Sequence, residues 1–339
     1  MTTRALLMVS GGSDSTAMLE LICAYANEQD LHDDHLSKML NENLPAAQDM
    51  EIHVLHVNHM LRPGAADEDE RFVREKCDEL GVPLEVQRID IARLAKARKG
   101  GVEAIAREER YRLANEAITG LEDTAMHGIV CTAHTLDDRV ETFFMRSLVG
   151  TGPGGLGSIP RTRGRIRRPL LDATREQLRD WLRSQHPGVP DDKLWREDAT
   201  NTQSENFRSQ VRMELMPVLE KLRPGFARPL AQTMDLIAEE DETLKQQAHS
   251  QVYRNIVWDG SCARYPIAAL ARESRPLARR ILRECLLIVR PDARLESAQI
   301  ERVLEHLEQT GYSTETSGGI RVRVEDNELV IFAVAQATQ

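Results

Sequence analysis

Near the amino terminus, Leu6-Leu7-Met8-Val9 runs straight into Ser10-Gly11-Gly12-Ser13-Asp14-Ser15-Thr16, and an apolar helical pattern begins at once. A strand, loop and helix in this order turn consecutive backbone N–H groups and a helix N-terminus toward one anion, which suits a phosphate. The adjacent glycines let the backbone approach a ligand and take positive φ without steric cost. The Walker A spacing is absent and no Lys follows the glycines, so the phosphate chemistry differs from that of P-loop enzymes. Asp14 stands there instead. A carboxylate beside a polyphosphate repels it unless a divalent cation lies between, so the loop implies Mg²⁺. The same residues also suit an ordinary strand-to-helix turn in which Ser13 or Asp14 caps the helix.

A second constellation, Ala133-His134-Thr135-Leu136-Asp137-Asp138-Arg139-Val140-Glu141-Thr142, follows another apolar run and opens another helix. Leu136, Val140, Phe143, Phe144 and Leu148 form its apolar stripe, which leaves Asp138 and Glu141 as neighbours on a different face. Thr135 with Asp138 also fits a capping box, and acids in a first turn suit the helix dipole. At a second strand–helix junction of one sheet, Asp138 is expected to meet Asp14 across a metal ion. His56-Val57-Asn58-His59-Met60-Leu61-Arg62 ends a strand and is expected to line a nucleotide pocket; the two histidines lack a further metal ligand nearby in sequence. Gly150 to Gly157 holds five glycines in eight residues and reads as a mobile cover beside the site, or as a linker.

Three arginine groups accompany these acids. Arg107 and Arg110 are adjacent on an amphipathic helix, and Arg208 and Arg212 are spaced i,i+4; either pair also fits a solvated charged face. Arg161, Arg163, Arg165, Arg167 and Arg168 fall within eight residues. Like charges so close need an anion or full hydration, and Arg favours phosphate.

These residues need a scaffold. Strands are predicted over Ala5–Val9, Glu51–Val57, Leu84–Ile89 and Gly128–Ala133, and helices over Ser15–Glu28, Asp67–Leu80, Val102–Thr119 and Thr135–Val149. Such alternation predicts a doubly wound, mostly parallel α/β sheet of Rossmann type with ligands at the carboxyl ends of its strands. Residues Asp30–Asp49, polar and punctuated by Pro45, read as a surface insertion. A further helix is expected over Glu205–Leu222, kinked or broken after Met216 by Pro217. Leu222-Arg223-Pro224-Gly225 then marks a boundary between domains 1–222 and 223–339. The second domain begins with a helix carrying Leu230, Met234, Ile237, Leu244 and Ala248 on one stripe. It continues as a small α+β module, with helices near Pro276–Val289 and Ser297–Gln309. A hairpin should follow, turning at Asp326-Asn327 between Ile320–Glu325 and Leu329–Val334. That hairpin should pack on the two helices.

The 339 residues suffice for two domains, and 41% hydrophobic with 29% charged residues describes an ordinary water-soluble protein. No apolar run reaches the length of a membrane span, and Met1-Thr2-Thr3-Arg4 enters the first strand directly, so neither a leader nor an anchor is expected. Cys23, Cys77, Cys131, Cys262 and Cys285 are widely spaced with no CxxC pair, which suits reduced, buried thiols and a cytoplasmic protein. The net charge of −10 argues against indiscriminate nucleic-acid binding but leaves room for a local basic surface.

The Ser-Gly-Gly-x-Asp-Ser loop resembles the PP-loop of N-type ATP pyrophosphatases, which hold the β,γ-phosphates of ATP while the α-phosphate is attacked. With His56–Arg62, Ala106-Arg107-Glu108-Glu109-Arg110-Tyr111, Ala133–Gly157, Arg168-Pro169-Leu170-Leu171 and Glu197-Asp198-Ala199-Thr200-Asn201 in order, the chain to about Arg223 is similar to one branch, the tRNA(Ile)-lysidine synthetases. It departs from that branch at Thr135, where His or Asn is usual, and at Arg139, where Gln is common. It departs again in the middle of Phe207-Arg208-Ser209-Gln210-Val211-Arg212. Longer members carry a domain beyond the C-terminal hairpin.

The resemblance implies ATP-dependent ligation of L-lysine to C2 of the wobble cytidine of a CAU-anticodon isoleucine tRNA. The cytidine O2 attacks the α-phosphate, pyrophosphate leaves, and the lysine ε-amine then displaces AMP. Asp14, His134 and Asp138 are the expected catalytic residues, with Asp14 and Asp138 sharing Mg²⁺. Ser10, Gly11, Gly12, Ser13, Asp14, Ser15, Asn58 and His59 are expected to bind ATP. Arg107, Arg110, Glu141, Arg165, Arg167, Arg208 and Arg212 are expected to bind lysine or tRNA. Asp138 or Glu141 could receive and help deprotonate the ε-amine. A homodimer is also allowed for. The rivals are another PP-loop enzyme such as a tRNA thiolase, which commonly requires reactive cysteines, and a non-catalytic ATP-responsive module.

Overall fold

The computed structural model describes residues 2–61, 64–121, 127–197, 206–260, 262–316 and 318–334. Arg62, the Asp198–Asn201 stretch and Glu205 lie outside the described residues. The chain divides into two compact units, 1–235 and 236–339.

The first unit is built on β1 (Thr3–Met8), β2 (Met50–Asn58), β3 (Leu84–Arg88) and β4 (His127–Thr132), all parallel, completed by the short hairpin β5 (Thr162–Arg163) and β6 (Ile166–Arg167). The sheet order is β3-β2-β1-β4-β6-β5, with only β5 antiparallel to its neighbour. It is the expected mostly parallel, doubly wound α/β sheet. The period-two alternation of β1 explains its two-sided burial. Ala5, Leu7 and Val9 join one core cluster, while Leu6 and Met8 join another on the opposite face.

Helix α1 (Ser13–Ala26) puts Ala17, Leu21 and Ile22 into the first cluster. Helix α2 (Asp34–Asn43) lies within the stretch expected as a surface insertion, and that expectation is corrected. The Asp33 carboxylate caps it by accepting from Leu36 N–H at 2.9 Å, and Leu36, Met39 and Leu40 are buried in the same core. Each fully buried leucine contributes roughly 1.5–3 kcal/mol relative to exposure. Then come α3 (Ala65–Leu80), α4 (Ile91–Arg98), α5 (Val102–Leu121) and α6 (Leu136–Val149). Leu113, Ala114 and Ile118 of α5 cover the second face of the sheet.

The glycine-rich segment after α6 contains a helical turn, α7 (Pro153–Leu156), pinned by Arg146, whose Nη1 donates to the carbonyls of Gly155 at 3.1 Å and Ser158 at 2.8 Å. Helix α8 (Arg175–Gln185) packs Leu178, Trp181 and Leu182 on α1's side of the sheet, and α9 (Asp191–Leu194) follows. The helix expected to kink or break after Met216 instead runs on with helical dihedrals through Gln210, Val211, Leu215 and Met216. Helix α10 (Phe207–Gln210) passes into one π-helical turn over Val211–Leu215 and then α11 (Met216–Leu222), so the irregularity falls before Met216 and the expected place is corrected. Pro217 has no N–H to complete the ladder, so the turn before it widens. Helix α12 (Ala227–Asn255) contains the division between the units.

The second unit carries an antiparallel sheet of order β7-β8-β11-β10-β9, formed by β7 (Val257–Trp258), β8 (Ala263–Pro266), β9 (Ser313–Glu315), β10 (Ile320–Glu325) and β11 (Glu328–Ala333). The expected hairpin is β10–β11. Asp326 and Asn327 take φ of 47° and 63°, the left-handed pair that a tight two-residue turn needs. Alongside α13 (Ile267–Ala271), helices α14 (Arg275–Val289) and α15 (Ser297–Glu305) bury Ile281, Leu282, Leu286 and Val303 against Val322, Val324 and Ile331.

Candidate functional site

In the sheet order, β1 sits between β2 and β4, so the chain winds outward in opposite directions from the β1–β4 pair. The crevice at such a switch point opens at the carboxyl ends of those strands. The loop after β1 carries Asp14 and the loop after β4 carries Asp138.

The β1 loop is shaped by its own side chains. Gly11 takes φ of +94°, and a Cβ there would stand 3.5 Å from atoms of Arg196, Phe72 and Val73. Ser15 Oγ accepts from the N–H groups of Ser10 at 3.2 Å and Gly11 at 3.1 Å and donates to Gly12 O at 3.0 Å. Arg196 N–H clasps the loop through Gly11 O at 2.8 Å. Helix α1 starts after Gly12 with no side-chain cap. Neither Ser13 nor Asp14 plays the capping role, so the first-turn amides are not consumed by capping. Ser13 Oγ instead donates to Asp14 Oδ1 at 3.1 Å and takes a hydrogen bond from Arg179 Nε at 3.3 Å.

Asp138 fills the capping role its sequence position allows, and its other oxygen is held by arginine. Its Oδ2 completes the capping box by accepting from Thr135 N–H at 3.0 Å, while Oδ1 faces the crevice and accepts from Arg208 Nη2 at 2.9 Å. Arg208 Nε also donates to Glu141 Oε2 at 2.9 Å, and Arg212 holds Glu141 by two hydrogen bonds, at 2.6 and 3.0 Å. The link to Asp14 is Arg175, the first residue of α8. Its Nε donates to Asp14 Oδ2 at 3.1 Å and its Nη2 lies 3.5 Å from Asp138 Oδ1. Arg175 thus bridges Asp14 to Asp138, and Arg208 bridges Asp138 to Glu141, in a chain of alternating charge.

Burial and charge push the two aspartates apart. Burial raises the Asp14 pKa above the usual carboxylate value, opposed by Arg175 and reinforced by the Asp138 charge. Burial pushes Asp138 up too, but Arg208, Arg175, the Thr135 amide and His134 together hold it below its usual value. His134 is held down to about 4, mainly by burial, and is neutral near pH 7; its Nδ1 lies 2.9 Å from Thr132 Oγ1. Pairs of titrating groups driven in opposite directions suit acid–base work.

Around this cluster, His59 Nε2 lies 3.4 Å from Arg110 Nη2, while burial and that guanidinium hold the imidazole down to about 4. His56 Nδ1 bonds Val9 O at 2.9 Å, which leaves its buried Nε2 without a partner; His59 Nδ1 is likewise buried and unpartnered. Asn58 is buried, and its side-chain amide is committed to Glu70, Asp67 and the Ala66 carbonyl at 3.1–3.3 Å. Arg107 is exposed and stacks over Tyr111 at 5.2 Å.

The arginine hairpin is divided. Arg161 pairs with Asp172 and Asp235, and Arg168 is buried with Nη1 on Pro160 O at 2.6 Å. Arg163 and Arg165 are exposed, and Arg167 Nη1 donates to Gly164 O at 2.7 Å. An open cavity of about 310 Å³ is lined by Met145, Arg146, Val149, Gly150, Thr151 and Phe207.

Arg175 was not singled out in the sequence. The available signal was the capping box of Thr174 and Gln177, which announces a helix starting at Arg175. Arg139 was also missed as a structural residue. It is buried and pairs with Asp235 of α12 and, at 3.8 Å, with Asp172. Among the described residues, no group of three or more His, Cys, Asp or Glu side chains converges as a ready metal cage. Two carboxylates alone suit a cation that takes its remaining ligands from phosphate and water.

Residues 1–219 match the PP-loop domain family. The tRNA(Ile)-lysidine synthase of Thermus thermophilus is 34% identical over 291 residues, covering 85% of this chain and 50% of that protein. The namesake from Deinococcus radiodurans is 36% identical over 72% of this chain and 36% of its own length; that from Chlorobaculum tepidum is 34% identical over 71% and 63%. The chain spans about half the length of the Thermus relative.

Proposed function

The chain belongs to the PP-loop domain family, and on that premise we propose that it is an ATP-dependent tRNA(Ile)-lysidine synthetase. It joins L-lysine to C2 of the wobble cytidine in a CAU-anticodon tRNA, forming a carbon–nitrogen bond through an adenylated tRNA. The observation that carries this assignment is the similarity to a tRNA(Ile)-lysidine synthase along 85% of the chain.

The site's chemistry agrees with such a reaction. The uncapped start of α1 and the amides of Gly12 to Ser15 receive phosphate oxygens, with Ser10 and Gly11 shaping the loop. His59, beside Arg110, and the Asn58 strand end border the nucleotide. Asp14 and Asp138 fit Mg²⁺ as two hard oxygen donors, and would hold it against the triphosphate, where it supplies charge neutralisation. Asp138, held below its usual pKa by its arginines, would receive the ε-ammonium of lysine, with the neutral His134 imidazole as its neighbour. Both oxygens of Glu141 are held by arginine, so Glu141 serves by fixing Arg208 and Arg212 for the anionic substrates. Arg107, Arg165 and Arg167 meet the tRNA backbone. Residues 1–222 form the nucleotide half, and the remainder grips tRNA.

Burial holds the Cys23, Cys131 and Cys285 thiols up at about 12. Such thiols carry almost no thiolate near neutral pH, which disfavours thiolation. No helix among the described residues is long and apolar enough to cross a membrane, in keeping with a cytoplasmic enzyme. The test is mass analysis of a CAU-anticodon tRNA(Ile) after incubation with ATP, Mg²⁺ and either lysine or a sulfur donor. Lysine addition to the wobble cytidine is expected. A sulfur adduct, or unchanged tRNA beside an active control enzyme, overturns the assignment.

A further inference from the structure

The two carboxylates assigned above to a divalent cation are bridged in this structure by a side chain. Arg175 Nε reaches Asp14 and Nη2 reaches Asp138, and the three side chains are only 22, 20 and 14% exposed respectively. The Arg175 backbone is fixed as well, because its N–H donates to Asp137 Oδ2 at 2.8 Å. Its guanidinium can swing about that anchor without moving α8. Asp138 already has a closer cation in Arg208, at 2.9 Å. The position of Arg175 is therefore not needed to neutralise Asp138 alone; it neutralises the pair.

We infer that Arg175 is a built-in competitor for the divalent cation, occupying the Asp14–Asp138 pair while the phosphate loop is empty and releasing it when a triphosphate arrives. This rests on the assignment of Asp14 and Asp138 as cation ligands. A dication and a guanidinium cannot share the space between two carboxylates without like-charge repulsion, and withdrawing Arg175 breaks charge-assisted hydrogen bonds in a largely desolvated place. A triphosphate at the start of α1 offsets both costs. It offers the displaced guanidinium anionic oxygens within reach and completes the ligand set of the cation. Tight cation binding thereby becomes conditional on nucleotide, so the acidic pair is not loaded before its substrate is present.

The probe is Mn²⁺, with free ion followed by electron paramagnetic resonance in the full chain, with and without a non-hydrolysable ATP analogue. Wild type should bind Mn²⁺ weakly alone and tightly with the analogue. Arg175→Met should bind Mn²⁺ about tenfold or more tightly without nucleotide, and the gain should vanish in Arg175→Met/Asp14→Asn. Arg175→Lys keeps the charge but cannot span both carboxylates, so it should show a smaller gain in the same direction; it decides the matter if Arg175→Met does not melt cooperatively. Nucleotide-dependent Mn²⁺ binding by wild type, with no tightening in either Arg175 variant, overturns the competitor role and leaves the cation site standing. No Mn²⁺ binding by wild type even with the analogue overturns both.

Discussion

Glu141 and Arg212 form a two-point ion pair, with Nε donating to Oε1 at 2.6 Å and Nη2 to Oε2 at 3.0 Å, and with the Glu141 side chain only 2% exposed. The pair ties the π-helical turn ahead of Pro217 to the first turns of α6, so the irregular turn of one helix is held against the acids of the other.

Removing Glu141 leaves Arg208 and Arg212 sharing only the Asp138 carboxylate, at 2.9 and 3.9 Å. Breaking a fully buried pair costs about 3–5 kcal/mol; because Arg212 is 28% exposed, Glu141→Ala should cost about 2 kcal/mol. Urea unfolding of Glu141→Ala, Arg212→Ala and the double variant measures it. Strictly additive losses would show that the two side chains do not interact.

Asp14→Asn and Asp138→Asn keep the size of each side chain and, at 138, an acceptor for the Thr135 cap. Each should lower pyrophosphate release by a factor equivalent to several kcal/mol of transition-state stabilisation, the scale of metal-assisted charge neutralisation. Assays at saturating ATP check it. Near-normal rates in both variants would remove these carboxylates from the chemistry.

The depressed His134 gives stability a pH dependence of known sign. Its pKa is near 6.5 unfolded and about 4 folded, so between those values the unfolded chain binds the extra proton. Stability therefore rises with pH from about 4 to 6.5 and is level in this term on either side. His134→Asn should flatten that slope by about one proton's worth, leaving the similar contribution of His59. Urea unfolding at several pH values reads it, and identical slopes would contradict the buried neutral imidazole.

Arg165 and Arg167 lie on the hairpin outside the acid–arginine cluster. If they meet tRNA phosphates, affinity falls steeply with salt, and Arg165→Ala/Arg167→Ala flattens the log–log slope by roughly one per lost contact. ATP affinity should stay unchanged. Parallel salt slopes for variant and wild type would assign these arginines to the hairpin's own structure.

The amino-acid sequence by itself determined the alternation of β1 to β4 with α1, α3, α5 and α6 and the helices and hairpin near the carboxyl end. Short apolar runs located the four parallel strands β1 to β4, the paired glycines marked the loop after β1, Thr135 and Asp138 marked the start of α6, and Pro217 signalled an irregular helix whose π-helical turn falls just before Met216. These features are local, set by pleat, φ and hydrogen-bond supply within a few residues. Helix α2 was hidden because its apolar stripe is only Leu36, Met39 and Leu40 within a polar stretch, and its burial comes from the sheet beneath. Only the tertiary structure decided what faces the two aspartates. Strand order places β1 beside β4, and α8 then carries Arg175 to a carboxylate 161 residues earlier. Sequence spacing has no term for such a meeting, because it depends on where a strand pairs and where a helix packs. The same holds for Arg161, Arg163, Arg165, Arg167 and Arg168, alike as residue types and separated only by burial and by the acids that folding brings to them.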